Sequence, residues 1–595
     1  MNPFDKLLEP LNVNEEDIAS IISAVEKIEK SKIKTDKVFK VSFLRNYTIE
    51  NIEPILKYRL FKKGIRPEIT FGLYDNVNQE ILNSGSHIYD SSTDLVVLSL
   101  LWEPLDEGYW KAGWNSKRLE NEVLSVFNLL KKKAKSLIAV NTFIPPFYSE
   151  YGIYSSKSHK GITYHINKVN QKIREYVSGH SDMFILVDFE RFTRELGENK
   201  SIDYRYWQMY KAPFKTEFLN LYAKEIAKIA AALKGLSKKC LILDCDNTLW
   251  GRIVGEDGLS GIKLDKNNYP GKAYYDFQKA VLKLKERGVI LALCSKNNEA
   301  DVMEVFEKHP YCLIKKADFS AWKINWKDKA DNINALAEEL NIGKDSIVYV
   351  DDNPVECGLV RKYLPEVTVK IVPKKLHNFD RLLFEEGLFD VLSMSKEDKL
   401  KNKLYRQEAR RKGLKDKISN IDDYIRSLEL TAVIQKASIE DLARISQLTQ
   451  KTNQFNLTTK RYSAIEIANL MKGSCSAVFS LKLKDKYGDY GLTGVFIAKK
   501  DGKTGIIDSF LLSCRILGRK AESDFLAYCL RYLEKEWKIT AWQAQYLPTP
   551  KNKQVENYWE SCGFKAASEV KGIKTYTAKK ESINKEYTGF IKFKI

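Results

Sequence analysis

The stretch that most constrains this chain runs from Leu241 to Gly258, L-I-L-D-C-D-N-T-L-W-G-R-I-V-G-E-D-G. Leu241-Ile242-Leu243 is a short apolar run, the pattern of a parallel strand buried on both faces. Asp244 and Asp246 follow, with one residue between them. Alternate residues of a strand share a face, so both acids project from the strand's carboxyl end, where open α/β sheets place their ligands. Two carboxylates that close repel each other unless a cation or a phosphoryl group sits between them. A lone D-x-D is most often a solvated turn. The sequence downstream argues otherwise here.

A helix over Gly271–Arg287 leads to a second buried strand, Val289–Cys294, which ends in Ser295-Lys296-Asn297. In W-K-D-K-A-D-N-I-N-A-L-A-E-E-L, Lys329 opens an amphipathic helix. A third strand, Ser346–Val350, ends in Asp351-Asp352-Asn353-Pro354. Taken singly, Ser295 reads as a strand-end cap and Lys329 as a solvated helix residue. Together, acids at two strand ends, a hydroxyl at a third and a lysine at a helix start resemble the haloacid-dehalogenase-like (HAD) phosphotransferase superfamily. Its four motifs occur in order: Asp244 and Asp246 with Thr248, then Ser295, then Lys329, then Asp351-Asp352.

The chemistry of such a set follows from charge. A carboxylate and a phosphate repel, and a divalent cation with oxygen ligands, usually Mg2+, cancels the repulsion. Asp244 is then the expected nucleophile toward phosphorus, and Asp246 the acid and base for leaving group and water. Ser295 and Lys329 are expected to hold the phosphoryl oxygens. The expected metal ligands are Asp244, Asp246 (through its backbone carbonyl), and Asp351 or Asp352. Between Trp250 and Gly288 there is room for a hairpin and one helix, and between Ser295 and Lys329 for a helix and a short strand. Neither gap holds a cap domain. An open site is expected, suited to a macromolecular substrate or to a roof from another domain.

At 595 residues the chain exceeds one core, and three or four domains are expected. No apolar run approaches the roughly 20 residues of a membrane helix, and M-N-P-F-D-K-L-L-E-P shows no leader pattern. Nine scattered cysteines without a C-x-x-C argue against zinc ribbons and disulfide frameworks and fit a reducing cytoplasm. The formal charge of +19 suits acidic partners or phosphorylated metabolites, or reflects a lysine-rich background. No nucleic-acid motif is present.

Over residues 1–236, Val38–Leu44, Glu68–Leu73, Asp94–Leu101, Ser136–Thr142 and Met183–Phe189 read as strands. Asn51–Lys63, Ser116–Lys133 and Tyr164–Ser178 read as helices between them. The alternation predicts a parallel sheet covered on both faces, and its order resembles an SGNH-hydrolase-like or flavodoxin-like α/β domain. Ser42 lies inside a strand rather than in a G-D-S turn, and Asp203 has no histidine three residues on. A structural or carrier-docking role is expected there. Residues 237–390 form the HAD-like core, without a large cap, and 391–430 a charged helical linker.

Over residues 431–595, Leu428–Ile434, Ala477–Lys484, Gly491–Lys499 and Thr504–Ser513 read as antiparallel strands. L-L-S-C-R-I-L-G-R-K-A-E then leads into a helix through Leu533. A strand, a glycine turn and a helix start make an anion cradle. The pattern resembles the GNAT acyltransferase fold (α+β), in which Arg515 and Gly518 match the loop that grips a pantetheine phosphate. Lys520 stands where that loop has a small residue, and Trp559, beside Tyr558, where many such enzymes have a tyrosine acid.

D-C-D-N-T-L-W-G-R-I-V-G-E-D-G, C-S-K-N-N-E-A, F-S-A-W-K-I-N-W-K-D-K-A-D-N-I, Y-V-D-D-N-P-V-E, L-T-Q-K-T-N-Q-F-N-L-T-T, G-D-Y-G-L-T-G-V and S-F-L-L-S-C-R-I-L-G-R together resemble the FkbH-like, HAD-IIIC enzymes. The resemblance covers about Ser237 to Phe564, and Arg252 departs from it where a second glycine is usual. It implies an enzyme that takes 1,3-bisphosphoglycerate, a phosphorylated three-carbon acyl donor. The enzyme removes phosphate and loads a glyceryl unit onto the pantetheine thiol of an acyl carrier protein. It also implies an acyl-carrying thiol on the enzyme. Cys294 and Cys514 lie in family-like stretches, though strand alternation turns Cys294 away from Ser295. A plain aspartate-nucleophile phosphatase for a small phosphorylated metabolite, with flanking domains for binding, stays open, as does a retired scaffold.

Overall fold

Strand β1 (Val38–Arg45) lies one in from the edge of the first sheet, flanked by β2 (Arg66–Phe71) and β3 (Leu95–Ser99). β4 (Leu137–Asn141) and β5 (Phe184–Val187) follow outward, giving the order β2-β1-β3-β4-β5 with every pair parallel. Every residue of β3 and β4 is buried, as a parallel strand under helices requires. The helices Ile52–Phe61, Lys117–Lys133, Ile162–Gly179 and Thr216–Leu233 bury their apolar faces. This sheet belongs to the first of two compact units, Met1–Lys234 and Gly235–Ile595, in a computed structural model. It describes residues 2–393 and 420–593, apart from 12, 32, 34, 91, 112 and 571.

At the carboxyl edge of the first sheet, two asparagines staple the loops. Asn46 bonds the backbone N–H and carbonyl of Leu101, both at 2.8 Å, and Asn141 does the same for Leu100 at 2.8 Å. β1 ends on Arg45, which donates to Gly72 O and Glu50. Ser42 is buried within the strand.

The second unit begins with β6 (Cys240–Leu243), β7 (Ile290–Ser295), β8 (Ala321–Ile324), β9 (Ile347–Asp351) and β10 (Thr368–Ile371). They form a parallel sheet in the order β10-β9-β6-β7-β8. Strand alternation divides its core. Leu241, Leu243, Leu291, Leu293, Val348 and Val350 pack with the helices Gly271–Glu286 and Glu299–Lys308. Ile242, Ala292, Cys294 and Tyr349 pack with the helices Lys329–Glu339 and Pro354–Tyr363. Between β6 and β7 lie a short helix, Val254–Gly261, the bridges Asp246–Trp250 and Gly251–Lys263, and the helix Gly271–Glu286. Between β7 and Lys329 lie one helix and β8. No domain is inserted in either gap.

Arg252 holds a φ of 71°, in the left-handed region that favours glycine. Its N–H donates to Asn247 Oδ1 at 2.8 Å, and its guanidinium pairs with Asp257 at 3.1 Å.

The rest of the unit is one mixed sheet. Its strands are β11 (Leu430–Lys436), β12 (Phe455–Asn456), β13 (Ser476–Asp485), β14 (Gly488–Asp501), β15 (Thr504–Leu512), β16 (Ala541–Tyr546), β17 (Lys565–Val570), β18 (Ile573–Lys579) and β19 (Ile591–Phe593). The order is β17-β18-β16-β15-β14-β13-β11-β19, with β12 on β15. The helix Ala521–Trp537 connects β15 to β16, which run parallel only from Thr504–Ile507 against Ala541–Ala544. Beyond that point Leu511 and Leu512 of β15 pair with Asn456 and Phe455 of β12. Of the linker expected over 391–430, residues 394–419 lie outside the described residues, and Ile421–Ser427 is helical.

Candidate active site

β6, β7 and β9 end side by side because Leu243 pairs with both Leu293 and Val350. The N–H of Asp244 donates to Val350 O at 3.0 Å, which sets Asp244 beside Asp351. Carboxylate oxygens of Asp244, Asp351 and Asp352 lie within 4.8 Å of one another. The helix that opens with Lys329 delivers its ammonium into this cluster. Nζ stands 2.6 Å from Asp351 Oδ2 and 3.0 Å from Asp244 Oδ1, with Lys329 5% exposed. The buried Tyr349 hydroxyl donates to the same Asp351 oxygen, and Asn353 N–H to the other at 2.8 Å. The Ser295 hydroxyl is within hydrogen-bonding reach of Asp244.

Asp246 is committed elsewhere. Its carboxylate accepts from Trp250 Nε1 at 2.8 Å, Val254 N–H at 3.1 Å and Asn297 Nδ2 at 2.8 Å. It therefore stands outside the carboxylate triad, held in one orientation beside it.

Burial pushes the Asp244 carboxyl up to about 7, against the pull of Lys329 and with a further push from Asp351. Asp352 is pushed up to about 6 by burial and then by Asp351. Asp246 is raised by burial, while its donors lower it. Burial alone would lower Lys329, but the charges of Asp244 and Asp351 outweigh it and hold the ammonium firmly protonated. Three acids crowded around one lysine carry surplus negative charge. Asp244 Oδ1 also accepts no hydrogen bond of good geometry. A hard dication with oxygen ligands fits this donor set.

Two large side chains close in sequence to Lys329 and Asp352 are exposed. Trp326 is 70% exposed, with its Nε1 on Asn298 Oδ1 at 3.3 Å, and Val355 is 68% exposed. Sequence reasoning missed Tyr349, Asn297 and Trp250. Asn297 could have been found two residues after Ser295 and Trp250 four after Asp246, but Tyr349 reads as core.

Neither candidate thiol opens onto the acids: Cys294 is their electrostatic neighbour but is sealed in the core, and Cys514 lies apart. Cys294 is fully buried on the opposite face of β7, with Sγ 3.7 Å from Lys329 O. The Cys514 carbonyl accepts from Asn341 Nδ2 at 3.2 Å, and the side chain neighbours Lys239. Lys239 precedes β6 and Asn341 follows the helix that starts at Lys329. Cys514 thus lies at the amino edge of the sheet, opposite Asp244. The intervening helix has 11 residues, or about 16 Å at 1.5 Å per residue. Gly518 lines a cavity in the second half of the unit. Arg515 is buried, with Nε on Ser513 Oγ at 3.3 Å, and does not line that cavity.

Residues 57–231 match the family model described as FkbH, N-terminal domain. A similar solved structure is the N-terminal part of the protein BF1531 from Bacteroides fragilis, which contains a phosphatase domain and was crystallised with Mg. It is 29% identical, with a TM-score of 0.57, over 63% of this chain and 99% of that one. The ribosomal-protein-S18-alanine N-acetyltransferase from Escherichia coli is 13% identical, with a TM-score of 0.20, over 25% of this chain and 94% of that one. No curated protein matches the sequence.

Proposed function

We propose that this chain, which carries an FkbH-type N-terminal domain and a HAD phosphatase domain, is a Mg2+-dependent glyceryl transferase and phosphatase. Its substrates would be 1,3-bisphosphoglycerate, or a similar acyl phosphate, and the pantetheine thiol of an acyl carrier protein. The observation that carries the reading is the triad of the buried Asp244 and Asp351 and the half-buried Asp352, with Lys329 bridging the two buried members.

Asp244, Asp351 and Asp352 would hold the cation, which supplies charge to offset the repulsion between carboxylate and phosphate. Asp244 attacks the phosphorus of the phosphate ester, forming an aspartyl phosphate as the ester P–O bond breaks. Asp246, held by Trp250, Val254 and Asn297, gives the departing oxygen its proton and later takes one from the water that attacks the aspartyl phosphate, whose P–O bond breaks to free Asp244 and inorganic phosphate. Lys329 and Ser295 hold the phosphoryl oxygens, and Asp351 and Tyr349 hold Lys329 in line. At the acyl phosphate end the carrier thiolate attacks the carbonyl carbon. A thioester forms and inorganic phosphate leaves. Nine unpaired cysteines suit the reducing cytoplasm where such a carrier would work.

Incubating the protein with 1,3-bisphosphoglycerate and a pantetheine-loaded carrier tests this. The carrier should gain the mass of a glyceryl group while phosphate is released. One observation favours a second reading, a phosphatase for a small metabolite with flanking domains for binding: Cys294 is sealed in the core, and Cys514 lies at the opposite edge of the sheet from Asp244. Phosphate release with no mass gain on the carrier would select it.

A further inference from the structure

The loop that follows Asp246 is pinned beside the acids from two sides. The Asp246 carboxylate accepts from Val254 N–H at 3.1 Å, and Asn247 Oδ1 accepts from Arg252 N–H at 2.8 Å. On the other flank Gly251 packs on the ring of Tyr274, so closely that a Cβ there would stand 2.8 Å from it. The Tyr274 side chain is in turn an electrostatic neighbour of Asp352. Arg252 is thus tethered to Asp246 on one side and, through Gly251 and Tyr274, to Asp352 on the other.

The backbone holds this arginine at a cost. Its φ of 71° suits glycine, and a side chain kept where glycine fits better points to a use for that side chain. The Arg252 side chain is 53% exposed, and among the described residues its guanidinium meets one carboxylate, Asp257, at 3.1 Å. A guanidinium carries five N–H donors in a planar fork, so most of them remain for a ligand. Two other cations at this edge are committed to carboxylates of the chain. Lys329 bridges Asp351 and Asp244 at 2.6 and 3.0 Å, and Lys296 holds Glu356 at 2.7 Å.

A substrate with a single phosphate makes no further demand on the rim. One with a second phosphate must bring that charge past Asp244, Asp246, Asp351 and Asp352, which repel it unless a cation meets it. A planar guanidinium matches two phosphoryl oxygens at once, which a lysine does not. We propose that Arg252 is a specificity residue of the phosphatase site and binds the second phosphate of a substrate that carries one at each end of a three-carbon chain. The proposal deepens the reading of Asp244 as nucleophile toward a three-carbon bisphosphate and rests on it. Asp257 holds the guanidinium by one nitrogen and leaves the rest of the fork to the ligand.

Titrating the full-length Asp244→Asn protein in the presence of Mg2+ tests it, since that variant should not turn the ligands over. The pair to compare is 1,3-propanediol bisphosphate and 3-hydroxypropyl phosphate, which differ by the second phosphate alone. The bisphosphate should bind at least about tenfold tighter, the worth of one charge-assisted pair. Arg252→Gly in the same protein should weaken the bisphosphate about tenfold and leave the monophosphate within about twofold. The circular dichroism spectrum should be unchanged, because glycine fits the backbone at this position. Equal affinity for the two ligands, a gap that Arg252→Gly does not narrow, an equal loss on both, or no binding of the bisphosphate at millimolar concentration would each overturn the proposal. Phosphate release that persists in Asp244→Asn would count instead against the nucleophile, and the binding comparison would still judge Arg252.

Discussion

Lys329 Nζ lies 2.6 Å from Asp351 Oδ2 and 3.0 Å from Asp244 Oδ1, and all three side chains are buried. One cation thus spans Asp244, the proposed nucleophile, and an acid on the next strand. Lys329→Met leaves two adjacent carboxylates without it. The variant should lose about 3–5 kcal/mol of stability in urea unfolding and about 100-fold or more in phosphate release. Lys329→Arg should not restore activity, since a planar guanidinium does not reproduce a point charge in a closed site.

Tyr349→Phe removes one of three donors to Asp351 and leaves Lys329 and Asn353 in place. A loss of about 1–3 kcal/mol in stability is expected from an acceptor left short of a partner. Turnover should fall by about 3- to 10-fold, as Asp351, the lysine's anchor, loses one of the groups that fix it. Unchanged unfolding and unchanged turnover would show the hydroxyl to be idle.

Cys514 stands at the amino edge of the sheet and Asp244 at the carboxyl edge. Cys514→Ser should therefore leave phosphate release within about twofold of wild type, as distant independent sites do. Cys294→Ser should also keep turnover, while losing about 1–3 kcal/mol because a hydroxyl replaces an apolar thiol in the core. A large fall in phosphate release in either variant would contradict the placement.

In the first unit, Glu103 Oε2 is sealed from solvent without a partner, and burial pushes its carboxyl from 4.5 up to about 7. The folded state then holds this proton more tightly than the unfolded chain. Its contribution to stability is full below about pH 4.5, falls as pH rises through about 7, and is flat above. Glu103→Gln should flatten that part of the profile and raise the unfolding temperature at pH 8 relative to wild type. Thermal melts at pH 5 and pH 8 check this, and an unchanged slope would place the titration elsewhere.

Much of this was legible before any coordinates. Leu241–Leu243, Val289–Cys294 and Ser346–Val350 read as buried parallel strands because short apolar runs closed by polar turns suit a strand covered on both faces. Asp244, Ser295, Lys329 and Asp351 were found because each stands where such an element begins or ends. β10 was not read as a strand, and β8 only as room for a short strand between Ser295 and Lys329. They have four residues each and are only partly buried, so neither carries a clear run. β12 is two residues long and exists only because β15 offers it an edge. Tyr349 was invisible because an aromatic in an apolar strand is ordinary core. The position of Cys514 could not be read either, since local sequence does not say which edge of a sheet a neighbouring lobe will meet.

The most direct measurement is phosphate release by Asp244→Asn beside the wild-type protein, with Mg2+ and an acyl phosphate substrate. Asparagine keeps the side chain's shape and removes the nucleophilic oxygen. A loss of about 1000-fold or more is expected, with the fold intact by circular dichroism. Turnover near the wild-type rate would mean that the acids around Lys329 do not accept the phosphoryl group.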